Sequence, residues 1–339
     1  MLPATAEKVA PSPAVSADSP TTPVRIAVVG AGHVGAAFAY ALVLSGLAAE
    51  VVLVDADHGR AEGEAMDIGH AVPFSRPARV WAGGIEDVAG AALTVITAGA
   101  GQRPGETRLD LAGRNAKVVG QVAPEVARHN PHGLLLVATN PVDVLAQLAQ
   151  EASGLPADRV IGSGTILDTA RFRYLLGQHV RVDPRSVHAY VIGEHGDTGV
   201  PVWSSASVGG VPLDAFAASA GVPLDAAVRQ RIAGETRDAA YEVIRRKGAT
   251  YFAIASGLVR LVEAVVRDQR TVLSVSTLVR PEHGYAGVAG VYLSVPCVVD
   301  RSGVAAVLRL ELDDDESSAL RHSAEVLAGV RRGIDDRAA

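Results

Sequence analysis

Short apolar runs alternate with longer stretches of helical periodicity through the first half of the chain. Residues 25–30 (RIAVVG), 50–55 (EVVLVD), 93–99 (LTVITAG) and 134–140 (LLLVATN) are brief and rich in β-branched residues. Being largely apolar between their ends, they have the pattern of strands covered on both faces. The segments between them, such as 115–129, are long enough for right-handed crossover helices. The first half therefore reads as a doubly wound parallel α/β layer, whose ligand sits at the carboxyl ends of the strands.

After about residue 162 the rhythm changes to one helix, a hairpin-like pair of strands (187–192 and 200–204), two helices, and late strands around 271–278 and 290–296. That order describes a second, α+β domain. Residues 313–332 close the chain as a helix with an acidic first turn and a basic end, which suits its dipole. Residues 1–23 are rich in Ala, Pro, Ser and Thr, with neither the basic start nor the apolar core of a signal peptide, and read as a disordered tail. The expected division is a tail over 1–23, a first domain over 24–162, a second over 163–332 and a C-terminal tail over 333–339. Residues 26–49 carry no charge over 24 positions, long enough to raise a membrane span. Glycines 30, 32, 35 and 46 interrupt that stretch, so a buried strand (24–29), a glycine turn and a buried helix (34–44) account for it better.

With 339 residues, 48% hydrophobic and 20% charged, the chain has enough apolar material for about two folded domains. A net charge of −6 leaves no positive field to hold a phosphate backbone, which argues against nucleic acid as the main partner. Cys297 is the only cysteine and cannot form an internal disulfide. No Cys/His cluster has zinc-ligand spacing, so a reducing, cytoplasmic setting without a metal is expected.

Gly30-Ala-Gly32-His-Val-Gly35 fits the G-x-G-x-x-G fingerprint, directly after a strand and opening a helix. There the first glycine permits the turn, the second admits a pyrophosphate to the backbone, and the third lets helix and strand pack closely. Asp55 stands twenty residues past Gly35, at the end of the next strand. Its carboxylate can accept from a ribose 2′-hydroxyl and repels a 2′-phosphate, so this Rossmann-type domain is expected to bind NAD rather than NADP.

Four further segments carry chemistry. Residues 98–111 leave a strand as a glycine-rich loop and enter a helix, offering Gln102, Arg103 and Arg108 to a ligand; glycines 99, 101 and 105 suit a lid, and a solvated surface loop is the alternative. Thr139-Asn140-Pro141-Val142-Asp143 places an amide at a strand's carboxyl end, or forms only a turn. Asp168 and Arg171 share a helix face at i, i+3, as a ligand pair or as a local ion pair, while Arg173 faces elsewhere. His195 lies in a loop after a strand, flanked by glycine. It becomes a functional residue if Asp168 reaches it, because a buried carboxylate would fix its tautomer and favour its protonated form.

In order and spacing, GAGHVG, VDAD, GETRLDL, TNPVD, ILDTARFR and GEHGDT resemble the lactate and malate dehydrogenase superfamily, from about residue 23 to 332. The resemblance implies hydride transfer between nicotinamide and C2 of a small 2-oxo or 2-hydroxy acid. His195 would be the general acid and base, Asp168 its orienter, Arg171 the carboxylate clamp and Arg108 the lid residue that polarises the carbonyl. Asn140 would hold the same oxygen or the nicotinamide edge. Cofactor contacts are implied at Gly30, Gly32, His33, Val34, Gly35, Asp55, Thr97, Ala98, Gly99, Asn140 and Ser163. At the position facing the substrate's C3 substituent, where the malate enzymes carry arginine, this chain has Gln102. Thr250 matches the threonine that closes the lactate pocket around a methyl group. Pyruvate and L-lactate are accordingly the expected substrates, since a second carboxylate would be buried unpaired. A malate enzyme of the lactate-like subgroup, and a non-catalytic NAD-binding protein, are the alternatives. Arg173 and His188 match positions that bind fructose 1,6-bisphosphate between subunits in allosteric bacterial members, and the same resemblance implies a homotetramer. Cys297 and Trp203 are expected to pack, and His129 and His132 to sit in a solvated turn.

Overall fold

The computed structural model describes residues 23–100 and 108–338; most of the expected N-terminal tail, with Gln102 and Arg103 of the glycine-rich loop, lies outside them. The first domain runs β1 (Arg25–Val29), α1 (His33–Ser45), β2 (Glu50–Val54), α2 (His58–Ala71), β3 (Arg79–Ala82), β4 (Leu93–Ile96), α3 (Arg108–His129), β5 (Leu134–Val137), α4 (Val142–Ser153) and β6 (Val160–Gly162). There follow α5 (Ile166–Val180), β7 (Val187–Ile192), β8 (Val200–Val208), β9 (Val211–Pro212), α6 (Leu213–Ser219), α7 (Ala226–Lys247) and α8 (Phe252–Val266). The chain ends with β10 (Thr271–Leu278), β11 (Tyr292–Asp300), β12 (Gly303–Val307) and α9 (Asp314–Ala338).

The strands of the first domain lie in the order β3-β2-β1-β4-β5-β6, all parallel, the arrangement of the dinucleotide-binding fold. The order reverses between β1 and β4, and that switch point opens a crevice at the strand ends. Alternate residues of β1 enter two separate cores. Ile26 and Val28 pack with Phe38 and Leu42 of α1, whereas Ala27 and Val29 pack with Val119 of α3 and Leu145 of α4. Helices cover the sheet on both faces, as the uninterrupted apolar strands require. Gly46 ends α1 in the left-handed conformation (φ 67°), and the Asp57 carboxylate caps α2 by accepting from the Arg60 amide. No helix among the described residues is long and apolar enough to cross a membrane.

Three features depart from the sequence reading. The late strands do not stand apart with the second domain: β10, β11 and β12 extend the first sheet beyond β6 as an antiparallel ribbon, giving nine strands. Contact is made where Gly162 lies opposite Ser276, and a side chain at Gly162 would press on Ser276 Cβ. Between the hairpin and these strands the chain forms three helices, because a short α6 precedes the two expected. The closing helix also continues past Arg332 to Ala338, so the expected tail over 333–339 is helical up to that residue. Ile334 is buried there, which gives the extra turns a reason to form.

The second domain packs α5, α6 and α7 around the β7-β8-β9 sheet, with Phe172, Leu176, Val187, Val191 and Ile232 at its centre. Trp203 meets Phe172 edge-on at 4.9 Å and belongs to this packing. Cys297 is buried in β11, and burial pushes its thiol pKa well up.

Candidate active site

At the switch point, Gly30 has φ 111°, and a Cβ there would collide with the Ala98 backbone. A Cβ on Gly35 would overlap the Gly30 carbonyl oxygen, whereas one on Gly32 would meet nothing within 4 Å. The first and third glycines thus serve close packing, and the second faces open space at the start of α1. Gly32 is the N-cap and has no side chain to bond the first amides of the helix, which are the groups a ligand would meet there. Asp55 at the end of β2 accepts from the Ala31 amide at 2.6 Å and from the Asp57 amide at 2.9 Å, which holds its carboxylate beside this turn. An open backbone cradle at a helix N-terminus beside a fixed carboxylate fits the pyrophosphate and adenosine ribose of NAD.

The floor of the crevice is built from the neighbouring strand ends. Thr97 Oγ1 donates to the Gly30 carbonyl at 2.7 Å, and Thr139 Oγ1 donates to the Ala98 carbonyl at 2.8 Å. Ser163 is buried, its amide bonded to the Val137 carbonyl. His33 is exposed and stacks on Tyr251 with ring centroids 5.4 Å apart, while Val34 packs against the core. Asn115 was not anticipated. Its side chain accepts from the Ala100 amide at 2.9 Å and donates to the Asn140 carbonyl at 2.8 Å, tying the root of the glycine-rich loop to the Asn140 turn. Only a weak signal for it existed in the sequence, a polar residue on a helix whose other buried positions are apolar.

Across the crevice, β7 delivers His195 and α5 delivers Asp168 and Arg171. Asp168 Oδ2 lies 2.5 Å from His195 Nδ1, and Asp168 Oδ1 accepts from Arg171 Nη1 at 3.0 Å. All three side chains are largely buried, with between 14% and 23% of their surface accessible. The local ion pair and the functional grouping are therefore both present, since one carboxylate serves both partners. Burial opposes charge on His195, but the Asp168 carboxylate outweighs it and raises the histidine pKa above 6.5. Burial likewise pushes the Asp168 pKa up, yet His195 and then Arg171 bring it below 3.8. The pair thus stabilises imidazolium beside carboxylate. Asp168 fixes Nδ1, which leaves Nε2 as the nitrogen able to exchange a proton with a ligand.

His195, Asp168, Arg171 and Asn140 line one cavity of about 600 Å³. Much of its remaining wall comes from α7 and α9, through Arg237, Tyr241 and Val326; no sequence signal tied these residues to the site. Tyr241 donates to Asp197 Oδ1 at 2.8 Å across the mouth. Leu109, the second residue of α3, reaches the same wall; Gln102 and the side chain of Arg108 lie outside the described residues. Thr250 is half-buried ahead of α8 and stands off the described wall. Arg173 faces away from the cavity as expected: its Nε donates to the Ala189 carbonyl at 2.8 Å, and its guanidinium lies over Tyr190. His188, next to Ala189, is exposed. A proton donor, a guanidinium and an amide converging on a cavity beside the dinucleotide crevice can bind a small carboxylate and protonate it at a neighbouring oxygen.

Known proteins resemble the chain over both domains. The family model for the lactate/malate dehydrogenase NAD binding domain matches residues 24–162, and that for the alpha/beta C-terminal domain matches residues 165–332. The L-lactate dehydrogenase of Thermus aquaticus is 53% identical over 310 residues, covering 91% of this chain and 99% of that protein. That of Priestia megaterium is 49% identical over 307 residues, covering 91% and 95%. Among solved structures, a lactate dehydrogenase from a Medee basin deep-sea metagenome library superposes with a TM-score of 0.88 at 42% identity, covering 92% of this chain and 99% of its own. The minor L-lactate dehydrogenase of Enterococcus mundtii superposes with a TM-score of 0.87 at 38% identity, covering 91% and 98%.

Proposed function

Because the chain belongs to the lactate/malate dehydrogenase family, we propose that it interconverts pyruvate and L-lactate with NAD as cofactor. The observation that carries the reading is one carboxylate, Asp168, holding both His195 and Arg171 at the wall of a cavity that Asn140 also lines. Bound NADH supplies the hydride for C2 of the keto acid. Arg171 grips the substrate carboxylate with its planar fork, which sets the carbonyl toward His195. His195 donates its Nε2 proton to the carbonyl oxygen as negative charge develops there, and takes it back in the reverse reaction. Asp168 keeps the imidazolium oriented and charged until the proton leaves. Asn140 adds a hydrogen bond at the same oxygen or at the nicotinamide edge, and the role of polarising the carbonyl falls to Arg108.

Following NADH oxidation with pyruvate and with oxaloacetate tests the substrate. Turnover of pyruvate is expected to exceed that of oxaloacetate, because Gln102 offers no counter-charge to a second carboxylate. Gln102→Arg should shift the preference toward oxaloacetate by about 10²-fold or more, the scale of pairing a buried carboxylate that was unpaired. A variant that still strongly prefers pyruvate would place the selector elsewhere.

We further propose a cytoplasmic homotetramer regulated by fructose 1,6-bisphosphate at Arg173 and His188: Arg173 of α5 donates to the carbonyl of Ala189, the neighbour of His188 on β7, and neither residue lines the cavity. Activation by the bisphosphate that disappears in Arg173→Gln supports the effector site, and equal activation of parent and variant rules it out.

A further inference from the structure

One buried carboxylate takes no part in the steps described above. Asp143, in the first turn of α4, is 1% exposed. Its Oδ2 accepts from the backbone amide of His195 at 2.8 Å, and its Oδ1 receives the Ser294 hydroxyl of β11 at 3.4 Å. Ser294 Oγ in turn accepts from the Thr165 amide at 3.0 Å, immediately ahead of the helix that carries Asp168 and Arg171. The Ser294 backbone exchanges two hydrogen bonds with Gly193, at 2.8 and 2.9 Å, just before the histidine. His195 is therefore gripped at two points: its ring by Asp168 from α5, and its main chain by Asp143 from α4. Asp143 also sits three residues beyond Asn140, so the same turn holds the amide that faces the substrate.

We infer that Asp143 is a positioning residue for the catalytic histidine, fixing the His195 main chain relative to Asn140 and setting a second carboxylate against the histidine. This rests on the reading of His195 as the proton donor. The groups facing Asp143 are His195 and Glu194 from the loop after β7, Ser276 from β10 and Ser294 from β11. Those facing His195 are Asp168 and Arg171 from α5, and Asp143 from α4. Burial pushes the Asp143 carboxyl up to about 6, against the pull of its hydrogen bonds. Because the folded value lies above the unfolded one, ionisation of Asp143 costs stability, progressively as pH rises from the ordinary carboxylate range through 6. An asparagine would fill the same volume without the cost of ionisation, though with one acceptor in place of two.

Two substitutions separate the parts of the role. Asp143→Ala removes both acceptors and the charge; Asp143→Asn keeps one acceptor for the His195 amide, turns the other position into an NH2 donor toward Ser294, and removes the charge. In the alanine variant kcat for pyruvate should fall about 10- to 100-fold, with KM within about threefold of the parent, as a misplaced proton donor requires. The asparagine variant should recover most of that kcat. Both should lower the pH midpoint for pyruvate reduction, because a negative neighbour of the imidazolium is gone. At pH 8 the asparagine variant should melt no lower than the parent, and NADH titration should show the first domain intact.

Parent-like kcat in the alanine variant, or an unmoved midpoint in the asparagine variant, overturns the inference. If the alanine variant does not fold, the asparagine midpoint decides alone. His195→Asn measured alongside distinguishes the two failures: if it keeps the parent rate, the reading of the site itself falls, whereas loss there with parent-like Asp143 variants removes only the positioning role.

Discussion

His195→Asn is expected to slow pyruvate reduction by about 10²- to 10⁴-fold, the usual contribution of a positioned general acid, while NADH still binds. Asparagine can occupy the place of Nδ1 beside Asp168 but has no group that gives up a proton near neutral pH. Steady-state rates with an NADH fluorescence titration check both halves of the expectation. The pH dependence of the parent carries the same logic. Reduction needs imidazolium, and Asp168 raises the His195 pKa, so turnover of pyruvate should hold through pH 6.5 and fall as pH rises through the elevated value, while lactate oxidation rises. Stability follows in parallel. What the pair contributes through His195 is fully present below the unfolded histidine pKa and is lost as pH rises through the folded one; its share through Asp168, whose pKa is depressed, is lost only as pH falls below the carboxylate range.

Arg171→Lys should be nearly as severe, with kcat/KM for pyruvate reduced by about 10²- to 10³-fold despite retention of the charge. The guanidinium holds Asp168 Oδ1 through Nη1 and still has donors for a planar carboxylate. An ammonium is a point charge on a flexible stem and cannot satisfy both partners in one geometry. Loss is expected in KM, because the clamp acts on bound substrate, and in kcat, because it also aims the carbonyl at His195. A variant with raised KM and parent-like kcat would confine Arg171 to binding and leave the aiming to other residues.

The strands and the glycine turn were legible because their signals are local. A β-branched apolar run, a following G-x-G-x-x-G and an acidic residue at the next strand end lie within 31 positions, from Arg25 to Asp55, and sterics alone dictate most of their geometry. The periodicity of the closing helix was equally plain, but not its end, since what continues it to Ala338 is burial of Ile334, a tertiary contact. The site residues were legible as motifs, each with a bland reading beside the functional one. For Asp168 both contacts occur together, and only the fold shows that the carboxylate also meets a histidine 27 positions away.

By itself, then, the sequence determined the doubly wound first domain, the glycine turn with an acidic residue at the next strand end, and the residue types from which the proposed chemistry is drawn. The tertiary structure alone decided how these meet. It joined the late strands to the first sheet at Gly162, where the lack of a side chain lets β10 approach. It closed the cavity with α7 and α9, and it buried Asp143 behind His195 across 52 positions of sequence. No periodicity reports such contacts, because burial and charge pairing depend on which elements pack together, whereas the signals along a chain reach only a turn or a strand in each direction.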